Sequence, residues 1–207
     1  MATHDENHHV HDERDHEHDY EHGHDHDHDH DHDEHDHVLI TDRLPAGTWT
    51  VIPSSSEILF RARTLFGMVP VAGEFTGFRG LLTVAQDGIA SGRLEVDSGS
   101  VSSGIRRRDR HLLSPRYLDA ASHPQVTFTL EAVTASGDEH LDVTGELELL
   151  DVTIPLAFTL YAIAHGDHLH LEARAVINHR DAGFAWHSPL VSEAVRIDLA
   201  LTLGRAS

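Results

Sequence analysis

The chain has 207 residues, 35 acids against 15 bases, a formal net charge of −20 with histidine neutral, and no cysteine. This excludes disulfides and thiolate metal sites and argues against a nucleic-acid partner, because an acidic molecule repels phosphate. The charge is concentrated at one end: residues 1–37 hold 14 of the 22 histidines, 15 acids and a single base, Arg14, which leaves an ordinary −6 for the remainder.

Residues 1–37 contain only Ala2, Val10 and Tyr20 as aliphatic or aromatic side chains, too few to offset the entropy of ordering. The composition predicts a disordered tail and linker over 1–46 and one domain over 47–207. Within the tail, "HGHDHDHDHDHDEHDH" at 22–37 alternates His with Asp. Imidazole is a good ligand for Zn, Ni, Co or Cu, and carboxylate adds hard oxygen and neutralising charge. The candidate metal ligands are His22, His24, His26, His28, His30, His32, His35 and His37. With no preferred register, ions would exchange along the run as in a buffer. Protonating all 14 histidines brings the tail to zero net charge, so falling pH would release metal and remove self-repulsion together. An entropic, solubilising bristle is the alternative.

No apolar stretch follows a basic start, and no segment approaches the roughly 20 apolar residues of a membrane span. The expectation is a cytoplasmic chain without a membrane span.

From Trp49 the dominant period is two. Val126, Phe128 and Leu130 alternate with polar residues. So do Leu141, Val143, Gly145, Leu147 and Leu149, then Leu169 to Ile177, then Val195 to Leu203. Strict alternation predicts strands with one wet face. Gln86-Asp87-Gly88, Ser136-Gly137-Asp138 and His165-Gly166-Asp167 supply short turns between them. The one helix-like stretch, 106–119, is interrupted by Pro115. About eight antiparallel strands with one wet face are best satisfied by closing the sheet, so the fold class is all-β, a roughly eight-stranded antiparallel barrel or a closely related sandwich, with one short helical segment. Such a barrel is either filled by its own side chains or holds one small ligand. The small residues Ala132, Gly145, Ala173 and Ala175 on the bulky face are expected to leave room.

The stretch "RRRDRHLLSPRYLDAASHPQVTFTL" at 106–130 resembles the YceI-like family through Arg108, Asp109, His111, Leu112, Ser114, Tyr117, Asp119, Pro124 and Phe128. Trp49 and Ser56 in "WTVIPSSSEILF", "GEFTGFRG" at 73–80, "SGSVSSGIRRRD", "TGELELLDVTIPL" and "INHRDAGFAW" follow the family's order. The resemblance covers 47–203 and stops short of the tail. It implies a lipocalin-like barrel that binds polyisoprenoids or related lipids. Departures fall at Ile52, Ser55, Thr64, His179 and Ala182, where the family usually carries polar, charged or aromatic residues, and they bear on contacts to a ligand head group.

A Ser/His/Asp relay at Asp109, His111 and Ser114 lacks the converging geometry and nucleophile turn that hydrolysis needs, so the chain is expected not to be an enzyme. A long isoprenoid leaving water gains about 0.8 kcal/mol per buried methylene, so an apolar tunnel suffices to bind it. The candidate ligand contacts are Trp49, Phe60, Phe75, Phe128, Leu147, Leu149, Phe158 and Trp186 on the wall, with Arg108, Asp109 and His111 at the rim. There Arg108, Asp109 and Arg180 either hold a head group or staple loops. His165, His168 and His170 read as an exposed polar edge. The partners expected are an isoprenoid or other long-chain amphiphile and a divalent transition metal at the tail, with no cofactor required and a homodimer allowed. A metal buffer, and a stress-linked structural protein with a packed barrel, are the competing functions.

Overall fold

The computed structural model describes residues 44–64, 69–136, 140–178 and 194–206. Its strands are β1 (Gly47–Val51), β2 (Glu57–Thr64), β3 (Val69–Phe75), β4 (Phe78–Val84), β5 (Ala90–Asp97), β6 (Val101–Ser102), β7 (Gln125–Ser136), β8 (His140–Leu149), β9 (Val152–His165), β10 (His168–Asn178) and β11 (Ala194–Arg205). One α-helix, α1 (Arg106–Leu112), stands among the described residues. It ends well before Pro115, and turns carry the chain on to the start of β7.

Six of the strands are halves of longer ones. β1 and β2 lie end to end along β11, residues 49–51 opposite 205–203 and residues 57–61 opposite 200–196. β3 and β4 run back along β2 and β1, and β5 and β6 return along β4 and β3. Counted this way there are eight staves, each antiparallel to the next in chain order, and β11 closes the ring against the first. Closure is continuous at the β1 end, whereas toward the other end the β9–β10 ladder joins only 160–165 to 168–173, and β3 meets β6 only at Glu74 and Phe75.

The three breaks sit side by side, at Pro53–Ser55, at Thr76-Gly77 and at Ser98–Ser100. Each is bridged by hydrogen bonds that replace the missing ladder. Ile52 N–H donates to the Thr202 carbonyl at 2.8 Å, and the Ser56 hydroxyl accepts from Thr202 N–H at 2.9 Å while donating to the Ile52 carbonyl at 2.8 Å. Asp97 N–H reaches the Gly77 carbonyl at 2.8 Å, and Thr76 N–H the Ser100 carbonyl at 3.3 Å. Buried backbone groups that lose a strand partner must find another, and these do.

Burial follows the alternation. In β8 every second residue, Leu141 to Leu149, is buried and the others are exposed. β7 departs from it: a bulge between Leu130 and Ala132 shifts the register, so Val133 faces Val143 and Ala132 turns outward, exposed. This corrects the inward placement of Ala132. Two apolar clusters result. The larger gathers Leu44, Trp49, Val84, Leu141, Leu169 and Leu203 with their neighbours, and the smaller gathers Leu147, Leu149 and Ile154 with Leu118, Val126 and Phe128. Leu44, which the sequence leaves in the linker, is 1% exposed and belongs to the core.

Candidate ligand cavity

Between the two clusters the barrel encloses an apolar cavity of about 110 Å³. Val51, Leu82, Leu94, Leu130, Val133, Val143, Leu160, Leu171, Leu199 and Leu201 line it, with Gly80, Gly92 and Ala173 among them and Phe128 and Phe158 on its wall. The strand register explains the choice, since every one of these aliphatic side chains belongs to the inward set of its stave. An apolar void of about 150 Å³ holds a benzene-sized guest, so this smaller cavity has room as it stands for no more than a fragment below that size.

One end is sealed. Trp49 is fully buried, its indole N–H donates to the Pro45 carbonyl at 2.9 Å, and the Arg205 guanidinium lies 4.7 Å over its ring. The plug includes Leu44, Leu141 and Leu169, each at 1% exposure or less. Trp49 is therefore a stopper beside the cavity and does not line it. The opposite end carries the β8–β9 turn, the start of β7 and the 113–124 segment, whose Leu118 packs on the smaller cluster.

The other wall candidates divide by place. Phe128 and Phe158 line the cavity, their rings 5.5 Å apart and tilted. Leu147 and Leu149 are buried in the smaller cluster, with Phe128 between them and the void. Phe60 and Phe75 pack on each other at 5.7 Å and are not among the cavity-lining residues. Trp186 lies outside the described residues, as do Arg180, His179, Ala182 and the tail histidines His22, His24, His26, His28, His30, His32, His35 and His37.

Gly145 was expected to leave room, but the Phe128 ring fills it. A Cβ at Gly145 would come within 2.6 Å of that ring, and one at Gly73 would come equally close to the Phe60 ring. These glycines admit aromatic rings across the sheet and contribute no empty volume. Gly80 and Gly92 line the cavity but are themselves closed by neighbours, a Cβ at Gly80 meeting Val51 at 2.8 Å and one at Gly92 the Leu81 carbonyl at 3.1 Å, and of the small residues singled out only Ala173 lines the void. The aliphatic lining was missed because size directed attention to aromatics. The alternation that marks Leu171, Leu199 and Leu201 as inward was the available signal.

At the rim, Asp109 accepts from Ser103 N–H at 2.8 Å and from the Ser103 hydroxyl, while Arg108 Nε donates to that hydroxyl at 2.8 Å and Nη2 to the Ser103 carbonyl at 2.8 Å. The Ser103 hydroxyl holds the Asp109 carboxyl below its ordinary range, helped by the Ser103 amide and the Arg108 charge and opposed by desolvation. The pair fastens α1 to the segment after β6. His111 is exposed, its ring 4.7 Å from that of Tyr117, and the Ser114 hydroxyl donates to the His111 carbonyl at 2.7 Å. Asp109, His111 and Ser114 thus engage other groups and form no relay.

The outer wall carries a second concavity of about 580 Å³ between β2, β8, β9, β10 and β11, lined by Glu57, Arg61, Glu172, Arg174 and Asp198 among others. Asp198 accepts from Arg174 Nε at 2.7 Å, with Arg196 Nε at 3.3 Å and Arg61 Nη1 at 3.8 Å. The Arg174 hydrogen bond lowers its pKa against desolvation, with the charges of Arg196, Arg174 and Arg61 adding. Its ionic walls do not suit hydrocarbon. His165, His168 and His170 are exposed around the buried Leu169 and Leu171, and among the described residues no three His, Asp or Glu side chains converge on a metal-sized site. No helix among the described residues is long and apolar enough to cross a membrane.

The fold recurs in solved structures. BcnA of Burkholderia cenocepacia aligns with a TM-score of 0.68 at 18% identity, over 73% of this chain and 98% of its own. A polyisoprenoid binding domain from Saccharophagus degradans, implicated in plant cell wall breakdown, aligns at 0.62 and 16%, over 76% and 98%. The YCEI protein of Campylobacter jejuni aligns at 0.60 and 16%, over 66% and 86%. In sequence, Protein YceI of Escherichia coli O157:H7 is 38% identical and that of Salmonella arizonae 36%, each over 97 residues, 46% of this chain. The chain thus spans about half the length, 50%, of these curated relatives. The YceI-like domain model matches residues 49–203, the stretch that closes into the eight-staved wall, and the chain belongs to that family.

Proposed function

We propose that the barrel binds, without catalysis, the hydrocarbon part of a polyisoprenoid or similar amphiphile. The observation that carries this reading is the apolar void of about 110 Å³ inside the barrel, whose one ionisable lining residue, Arg93, has its guanidinium engaged with Glu95 at 3.1 Å and Glu148 at 3.8 Å. Binding there is driven by removing hydrocarbon from water, about 0.8 kcal/mol per methylene, and needs no head-group recognition. The stopper at Trp49 and Leu44 directs a guest to enter from the α1 end. A chain longer than the void must displace the Phe128–Phe158 pair, which stands between the void and the Leu147–Leu149 cluster. The polyisoprenoid binding domain of Saccharophagus degradans, which shares the fold, supports this choice of ligand class. Organic extraction of natively purified protein followed by mass spectrometry tests it. A long-chain amphiphile is expected in the extract, and a clean extract from protein that also takes up no added polyprenol would end the reading.

A second activity rests on the sequence of the tail. His22, His24, His26, His28, His30, His32, His35 and His37, interleaved with Asp, bind Zn²⁺, Ni²⁺, Co²⁺ or Cu²⁺ as an exchanging buffer, in a chain that works in the cytoplasm. Calorimetric titration of the full chain against one starting at Val38 should show most of the metal stoichiometry lost with the tail. Equal stoichiometry would remove the tail from any metal function.

A further inference from the structure

α1 breaks three local rules at once. Its N-cap is Ile105, a residue class that cannot accept a hydrogen bond from the first turn and is among the least favourable caps. Three arginines, Arg106, Arg107 and Arg108, share the first turn with a single acid, Asp109, although the helix dipole disfavours positive charge there. Ile105 is also 53% exposed, so more than half of its surface stays in water. Departures from local consistency without an internal gain mark places where an external partner supplies the gain.

The surroundings define that partner. All 15 basic residues of the chain are arginine, and five fall between residues 106 and 116. Arg106, Arg107, Arg110 and Arg116 are exposed, whereas Arg108 is spent on Ser103. The only acid from Ile105 to Leu118 is Asp109, and Ser103 occupies its carboxylate. The result is an exposed isoleucine followed within eleven residues by four exposed arginines, on a chain of net charge −20. Beyond about 8 Å at physiological salt the remaining negative charge is screened, so this patch presents a positive field at contact distance.

We propose that Ile105 and the arginines of 106–116 dock the protein onto an anionic lipid bilayer, with Ile105 inserted among the acyl chains and the guanidinium groups on lipid phosphates. A polyanion without an apolar interior would reward the arginines but not Ile105. The docked face is the end opposite the Trp49 stopper, where a guest must enter. The inference rests on the lipid-binding reading for its purpose, though not for its geometry.

The test is flotation of the full chain with vesicles of phosphatidylcholine alone or mixed with phosphatidylglycerol. Binding is expected only with the anionic lipid and should weaken as salt rises. Replacing Arg106, Arg107 and Arg110 together with Gln should weaken it about fivefold per arginine, about a hundredfold in all. Ile105→Asn separates docking from folding. Asn is a better N-cap, so the variant should be at least as stable to heat while binding vesicles about tenfold more weakly. Equal binding to neutral and anionic vesicles, no binding to either, or Ile105→Asn binding unchanged while DNA competes as well as vesicles would each overturn the proposal. Uptake of an apolar fluorophore without vesicles keeps the two readings apart. Uptake without docking sinks the membrane face alone, and docking without uptake sustains that face while counting against the carrier.

Discussion

Ser56 shows how one hydroxyl holds a wall together. Where β1 stops and β2 has not begun, the Thr202 amide on β11 has no strand opposite it, and Ser56 accepts its hydrogen bond. Ser56→Ala leaves that buried amide unsatisfied and should cost about 1–3 kcal/mol, read as a lower urea midpoint at unchanged slope. The sequence marked Ser56 through the family resemblance, but its partner lies 146 residues away and only the closed ring brings them together. The carboxylates Asp109 and Asp198 make a pH prediction. Both have folded-state pKa values below the ordinary one of about 3.9. Their contribution is therefore complete above about pH 4 and lost as pH falls through the folded values. Asp198→Asn should lower stability at neutral pH and make no difference at strong acid, which unfolding midpoints across pH would show.

Among the elements, β8 was fully legible because Leu141, Val143, Gly145, Leu147 and Leu149 alternate without interruption and the strand obeys them. β7 was legible only to Leu130. The bulge that follows adds one residue, and Glu131-Ala132 carries too little hydrophobic contrast to announce it. The helix boundary was set by Pro115 only loosely, since α1 stops at Leu112 and turns fill the interval. Glycine was misread for a physical reason: a missing side chain is an invitation to a neighbouring ring as much as a vacancy. Gly145→Ala tests this, because the added carbon would sit 2.3 Å from the Thr129 carbonyl and 2.6 Å from the Phe128 ring. The expected destabilisation is about 1–3 kcal/mol, larger than a glycine-to-alanine change in an open strand, by chemical denaturation.

For the whole molecule, closure was legible from strand number and one-sided polarity, whereas the size of the lumen was not. Void volume is a small difference between the space the staves enclose and the side chains that fill it, and no pattern in the sequence records that difference. Ala173→Leu exploits the margin by adding about three carbons to a cavity of about 110 Å³. The variant should fold with a melting temperature near that of the parent and lose most of its uptake of an apolar fluorophore. Retained uptake would place the guest elsewhere.

The interruptions in the first three staves have a mechanical consequence. Pro53–Ser55, Thr76-Gly77 and Ser98–Ser100 form a crease across one side of the wall, while β7 to β11 run past the same height without a break. A cylinder scored on one side bends there first, so the panel of β2, β3 and β6, which no ladder among the described residues joins to β7, is the part of the wall expected to swing outward and enlarge the bore. Amide exchange should accordingly be fastest along that score line, and a guest too long for the resting void would find its extra length there.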